Sequence, residues 1–245
     1  GYDLIVSRYL GITALAGVLH FSNLIVDVDD LDSEVYASKA RLPDQHWWER
    51  VMLRAYARRF RQLEKRILCR FATVFVAKVA DTKYLGLDNL YVVPNIPFHF
   101  PEEKDLDLKW SSSNVILFVG TLNWPRNQEA VDYFLLQVWP LIRRDRPLTV
   151  FRLVGKANPI DRARWSAVAG VEVLGYVESL AEAYRQAALT VAPILGGGGT
   201  NIKLLESLAY GRTCVAFTHA LRGFDDVLID GESVLVADDA AAMAN

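Results

Sequence analysis

Residues 190–217 read TVAPILGGGGTNIKLLESLAYGRTCVAF. The stretch opens on an apolar run closing at a proline, 190–193, the pattern of a buried parallel strand. Gly196, Gly197, Gly198 and Gly199 follow, and Thr200 and Asn201 stand where a helix N-cap belongs. A helix is expected over 202–210, with Ile202, Leu205, Leu208 and Ala209 as its apolar stripe. Gly211 is placed to stop it, and 213–217 supply the next strand.

A strand, a glycine-rich turn and a helix N-terminus together can hold a phosphate without a metal. Glycines let backbone N–H groups converge, and the helix end adds partial positive charge. Lys203 and Glu206 are three residues apart and share one helix face. The lysine can neutralise phosphate while the carboxylate accepts hydrogen bonds from a ribose diol. A flexible glycine loop beside an exposed Lys/Glu pair has the same letters, so both readings stand at this point.

The segment resembles the nucleotide-sugar signature of the GT-B glycosyltransferases of family four (group 1), in the bacterial subset that reads roughly G-G-G-T-x-I-K-x-L-E-A-x-A-x-G. Two more blocks resemble the same donor domain in the same order: 115–134, VILFVGTLNWPRNQEAVDYF, and 171–189, VEVLGYVESLAEAYRQAAL. The fold implied is α/β, with two Rossmann-like doubly wound domains, the N-terminal one incomplete. The expected division is 1–100 for a partial acceptor-side domain, 101–113 for a linker, and 114–245 for the nucleotide-sugar domain. The linker stretch carries proline, serine and charge. The donor domain is expected to repeat strand–helix units, a pattern that itself means a parallel sheet binding ligands at its carboxyl edge.

Around that edge the residues take roles. Gly120 and Thr121, at the end of the first donor-domain strand, allow close approach to a diphosphate. Arg126 lies where relatives place a phosphate-binding cation. The subset reads W-x-P-N where this chain has Trp124-Pro125-Arg126-Asn127, so an arginine on an exposed loop is the other reading. Tyr176 and Val177 fall on the loop resembling the base-contacting one, although a tyrosine packed in the core would look the same. Glu206 matches the second glutamate of the family's Glu-x7-Glu pair, which holds the ribose; Gly198 replaces the first. Lys203 is retained and is expected to meet the charge of the leaving diphosphate. The activity implied is retaining transfer of a sugar from a nucleotide diphosphate sugar to a hydroxyl acceptor, in polysaccharide or lipid-linked glycan synthesis. A non-catalytic nucleotide-sugar-binding fragment and a nucleotide-sugar epimerase remain as alternatives.

The remaining chain sets the context. A 52% hydrophobic and 23% charged composition suits a globular core, and a net charge of −2 argues against a nucleic-acid partner. Cys69 and Cys214 lie in apolar surroundings and read as reduced core residues of a cytoplasmic protein. No apolar run reaches spanning length, and no signal peptide is seen. Asp27 and Asp29 follow a strand and can hold a divalent cation with a diphosphate. A polar turn is the alternative, and because the downstream site needs no metal, neither metal nor cofactor is expected. None of His20, His46, His99 and His219 sits in a catalytic pattern.

The helix expected over 47–70 has Trp48, Met52, Ala55, Phe60, Leu63 and Ile67 at helical spacing. Eight basic residues, Arg50, Arg54, Arg58, Arg59, Arg61, Lys65, Arg66 and Arg70, face only Glu49 and Glu64. Such a helix can lie on an anionic membrane surface, or be the solvated face of an ordinary α/β helix.

Overall fold

Two wholly parallel sheets organise the chain in a computed structural model that describes residues 2–42, 45–97, 100–102, 113–197, 199–224 and 226–245. The chain divides into two units. The first comprises Gly1–Asn95 with Gly196–Thr200 and Arg222–Phe224; the second comprises Ile96–Leu195, Asn201–Leu221 and Asp225–Asn245. Of the expected linker, 103–112 lie outside the described residues.

The first unit runs β1 (Ile5–Arg8), α1 (Leu10–Leu15), β2 (Leu24–Asp27), α2 (Asp32–Lys39), α3 (Trp47–Leu68), β3 (Thr73–Val76), α4 (Val79–Leu85) and β4 (Leu90–Val92). Its sheet has the order β1-β2-β3-β4. Leu24 and Val26 of β2 and Val74 and Val76 of β3 are buried against Leu31, Leu68, Phe71 and Leu85. Each such side chain contributes about 1.5–3 kcal/mol through burial. Just past the ends of β1 and β2, Tyr9 and Asp29 hold φ of 64° and 55°, a region that side chains other than glycine rarely adopt. Beside them, Arg8 pairs with Asp29 at 2.9 Å and Asp27 at 3.4 Å. The two carboxylates read as a candidate cation site therefore already share a guanidinium.

The apolar stripe expected on α3 is not the one that packs. Trp48, Met52, Ala55 and Leu63 are exposed, whereas Leu53, Ala57, Glu64 and Leu68 are buried and Phe60 lies half-buried among them. The steps of four, three, four and four make one helical face. That face packs on α2, where Tyr36 stacks on Phe60 at 5.0 Å and Glu64 accepts from the backbone N–H of Ser33 at 3.0 Å and from its hydroxyl. A glutamate in the buried row hides the stripe from any reading by hydropathy. Burial raises the Glu64 carboxyl above its ordinary range, partly offset by the Ser33 bonds. Cys69 is a second correction: it sits just past α3 on the outward face and is exposed, while Cys214 is buried as expected.

The second unit continues with β5 (Val115–Val119), α5 (Pro125–Tyr133), a π-helical turn (Phe134–Val138), α6 (Trp139–Asp145), β6 (Val150–Val154), α7 (Pro159–Ser166), β7 (Val171–Gly175), α8 (Leu180–Arg185), β8 (Leu189–Ala192), α9 (Ile202–Ala209), β9 (Cys214–Phe217), a 3-10 turn (Thr218–Leu221), β10 (Leu235–Ala237) and α10 (Ala240–Ala244). The strand order is β10-β9-β8-β5-β6-β7. Direction of winding reverses between β5 and β8, the place where doubly wound sheets open a crevice at their carboxyl ends. The π turn accommodates Pro140, which has no N–H and would crowd the preceding turn of a regular helix. Across it, Phe134 and Trp139 both pack on Phe151, with ring centroids 4.3 and 5.7 Å away.

Helix α9 forms where the sequence puts it, again with a different buried face. Leu204 and Ser207 are buried, as is Tyr210 just past the end, while Ile202, Leu205, Leu208 and Ala209 are only partly covered. Ser207 is tolerated inside because its hydroxyl pairs with Thr190 Oγ1 at 2.6 Å and donates to the Arg212 carbonyl at 2.8 Å. Gly211 ends the helix as expected, with φ of 64°. Asn201 occupies the N-cap position without capping. Its amide nitrogen donates to the Ala220 carbonyl at 3.1 Å, and its side-chain oxygen makes no capping bond to the first turn of α9.

Candidate functional site

Three adjacent strands of the second unit end in glycine or close to it, and their loops surround a cavity of about 470 Å³. The ends of β5 (119–121), β6 (154–156) and β7 with the start of α8 (176–181) form most of the wall. Glu206 and Tyr210 close one side and Phe100 and Glu102 another. The strand ends meet tightly. Gly120 N–H donates to the Val154 carbonyl at 3.0 Å, and Gly155 N–H to the Gly175 carbonyl at 2.7 Å.

Five expected site residues therefore come together here: Gly120, Thr121, Tyr176, Val177 and Glu206. Tyr176 stands on the rim, 78% exposed, which settles against a core tyrosine. Glu206 accepts from the Tyr184 hydroxyl at 2.9 Å.

Lys203 lies just behind Gly120. A Cβ on that glycine would sit 3.4 Å from Lys203 Nζ and 2.9 Å from Asn127 Nδ2. Lys203 Nζ donates to Asn127 Oδ1 at 2.7 Å and rests over the Phe118 ring, 4.3 Å from its centroid. Asn127 is itself oriented, because its Nδ2 donates to the Thr121 carbonyl at 2.9 Å and leaves Oδ1 facing the amine. Loss of water around the ammonium lowers the Lys203 pKa to about 7, against a partial opposing pull from the Glu206 carboxylate. The lysine can thus gain a proton when an anion arrives.

Arg126 does not reach this group. Its guanidinium pairs with Glu129 on the same turn of α5 at 3.2 Å, and it does not line the cavity. The arginine is in the first turn of α5 with its side chain largely covered, not on an exposed loop, and the neighbour that bonds Lys203 is Asn127. The Trp-Pro-Arg-Asn order carried the signal, since asparagine kept its place while proline and arginine shifted before it. Lys156, on the β6 loop, is a cavity cation the sequence reading did not single out.

The glycine loop falls in the first unit. Gly197 N–H donates to Ser38 Oγ at 3.0 Å, and Thr200 Oγ1 accepts from Asn95 Nδ2 at 2.9 Å. The same amide donates to Asp29 Oδ1 at 2.8 Å. A Cβ on Gly199 would meet both carboxylate oxygens of Asp30 at 3.0 Å. Gly198 lies outside the described residues.

With this geometry in hand, the likeness to known proteins is informative. The family model for glycosyl transferases group 1 matches residues 113–245, just over half of the chain. The chain belongs to that family. A phosphatidyl-myo-inositol mannosyltransferase of Mycolicibacterium smegmatis is 30% identical over 191 residues, covering 75% of this chain and 48% of its own length. The chain thus spans about half the length of the curated relatives it matches. Among solved structures, sucrose-phosphate synthase from Thermosynechococcus elongatus superposes with a TM-score of 0.69 at 19% identity, over 100% of this chain and 63% of that one. Anabaena HepE, solved with UDP and glucose, superposes with a TM-score of 0.68 at 12% identity, over 99% of this chain and 66% of that one. These likenesses establish the GT-B fold.

Proposed function

We propose that the cavity of the second unit binds a nucleoside diphosphate sugar, and that the protein transfers the sugar to a hydroxyl acceptor with retention of configuration and no bound metal. The observation that carries the reading is Glu206 at the wall of a backbone-lined cavity, with Lys203 immediately behind Gly120. Glycine strand ends let the diphosphate approach the backbone, Lys203 meets the charge that gathers on the leaving group, and Glu206 accepts from the ribose. Family membership supports this, as does the UDP and glucose found in HepE. The mannosyltransferase relative, named for phosphatidylinositol, supports a lipid-linked acceptor and a role in glycan assembly.

Calorimetric titration with UDP, GDP and ADP, each with and without EDTA, tests the donor site. One nucleotide should bind equally well with EDTA, and Glu206→Ala should weaken it by about tenfold, the scale of a hydrogen bond to a charged group. Failure of all three nucleotides to bind would overturn the reading. Binding that required a divalent cation would move attention to Asp27 and Asp29.

The same proposal includes peripheral contact with an anionic bilayer through α3. Among the described residues no helix is long and apolar enough to cross a membrane. Two neighbouring outward rows on α3 support the contact: Trp47, Val51, Arg54 and Arg58, and Trp48, Met52, Ala55, Arg59 and Arg66, every one exposed. Aromatic and aliphatic groups near one end, followed by cations, suit the boundary between headgroups and acyl chains. Sedimentation with vesicles should show binding to anionic and not zwitterionic lipid. Arg58→Ala with Arg59→Ala should weaken it roughly thirtyfold, at about 1 kcal/mol per cation. Equal binding to both vesicle types would refute the contact.

A further inference from the structure

Tyr184 is a fully buried tyrosine whose hydroxyl meets Glu206, a residue of the cavity wall. Its side chain belongs to a cluster with Leu117, Val154, Ala183, Ala187 and Tyr210. The Tyr210 ring lies flat against it, 4.4 Å away and 5° from parallel. The backbone is held as well: Arg212, buried itself, donates through Nε to the Tyr184 carbonyl at 2.6 Å and through Nη2 to the Arg185 carbonyl at 3.2 Å. A cation is favourable there, since these are the last carbonyls of α8. Packed on its ring and tied at its backbone, Tyr184 has one place to put its hydroxyl, which donates to Glu206 Oε2 at 2.9 Å.

We propose that Tyr184 is a positioning residue which fixes the Glu206 carboxylate toward a ribose diol, and thereby makes the cavity select ribonucleotides over 2′-deoxyribonucleotides. The inference rests on the nucleotide reading of the cavity. A carboxylate offers about four acceptor positions, and the phenol takes one of them. Glu206 sits on the partly exposed side of α9, where an untethered glutamate would sample several rotamers and lose that freedom only on binding. The Tyr184 bond lowers that cost in advance. Burial, and then the neighbouring Glu206 charge, hold the phenol well above its ordinary pKa, so it stays a donor throughout the pH range of a folded protein.

Tyr184→Phe keeps the ring, the stack on Tyr210 and the packing, and removes only the hydroxyl. Calorimetry with the ribo and 2′-deoxy forms of UDP, GDP and ADP, on wild type, Tyr184→Phe and Glu206→Gln, gives the test. Wild type should prefer the ribo form by about tenfold or more; Tyr184→Phe should weaken the ribo form about tenfold and the deoxy form by less than about twofold, collapsing the ratio. A purely structural tyrosine would lower the unfolding midpoint and leave the ratio intact, which would overturn the proposal. If Glu206→Gln weakens the ribo form and Tyr184→Phe does not, positioning alone fails. If Glu206→Gln changes neither form, the nucleotide reading of the cavity fails and the inference goes with it.

Discussion

Lys203→Met is expected to bind nucleoside diphosphate roughly thirtyfold more weakly at about pH 6, the cost of removing one partner of a desolvated charge pair, and to unfold at a higher temperature than the parent. Both effects come from one amine. Burial has brought it from 10.5 to about 7, held between the Asn127 amide oxygen and the Phe118 face. Near neutrality the amine of the free protein is therefore only partly protonated, and a bound diphosphate would draw the proton on. Affinity should fall as pH rises above about 7, by up to about tenfold per unit, until the raised pKa of the complex is reached. Calorimetry in two buffers of different ionisation enthalpy would read this as uptake of a fraction of a proton per nucleotide near neutrality. The variant should show neither uptake nor slope.

The stability effect has the opposite sign. A lysine whose folded pKa is lowered binds fewer protons folded than unfolded between about 7 and 10.5, so stability climbs with pH across that window. Below it the buried charge is fully destabilising, and methionine relieves that. A variant that lost both binding and stability would mark Lys203 as structural.

Gly155→Ala should be the most damaging single change in the second unit. Gly155 holds φ of +135°, and a Cβ there would lie 1.8 Å from the carbonyl oxygen of Gly120 and 2.8 Å from its carbon. Both partners are backbone, so no side chain can swing aside. The strand ends are tied by the Gly120-to-Val154 and Gly155-to-Gly175 hydrogen bonds, and relief means pulling β5 and β6 apart at the cavity wall. A loss of about 4 kcal/mol or more is expected, a size reserved for changes of this kind. For a chain of this length that is roughly a 10 °C fall in the unfolding midpoint, or failure to fold, read by circular dichroism. Gly11→Ala, where a Cβ meets nothing within 4 Å, is the control and should leave the midpoint unchanged or raised. Equal midpoints for Gly155→Ala and wild type would mean that the crowding at β5 and β6 does not exist in solution.

The architecture was readable because parallel strands and glycine ends follow rules that act over a few residues. Apolar runs at 115–119 and 190–193 mark strands wherever they occur, and Gly211 stops a helix by its own conformational freedom. What packed against what was less readable. On α3 and α9 the buried rows contain Glu64 and Ser207, polar groups made acceptable by Ser33 in one case and by Thr190 and Arg212 in the other. Those partners are 31 and 17 residues away or five residues downstream, and no helical period announces them. Asn201 stands at the cap position without making a capping bond, while its Nδ2 donates to the Ala220 carbonyl 19 residues downstream. Of the expected site residues, Lys203 and Glu206 stood out by their spacing, whereas Asn127 and Tyr184, which hydrogen-bond to those two, became visible only in three dimensions. Arg126 was read from its place in a motif, yet Glu129 one turn along engages it.

The two cysteines differ in a way that is practically useful. Cys214 is buried, and loss of water pushes its thiol up to about 11, so it stays protonated and shielded from reagents. Cys69 is exposed at the end of α3, on its outward face. A maleimide dye added to the native protein should therefore label one position without mutagenesis, close to Arg66 and at the opposite end of α3 from its tryptophans. A polarity-sensitive fluorophore attached there becomes an optical gauge of whatever surface that helix approaches.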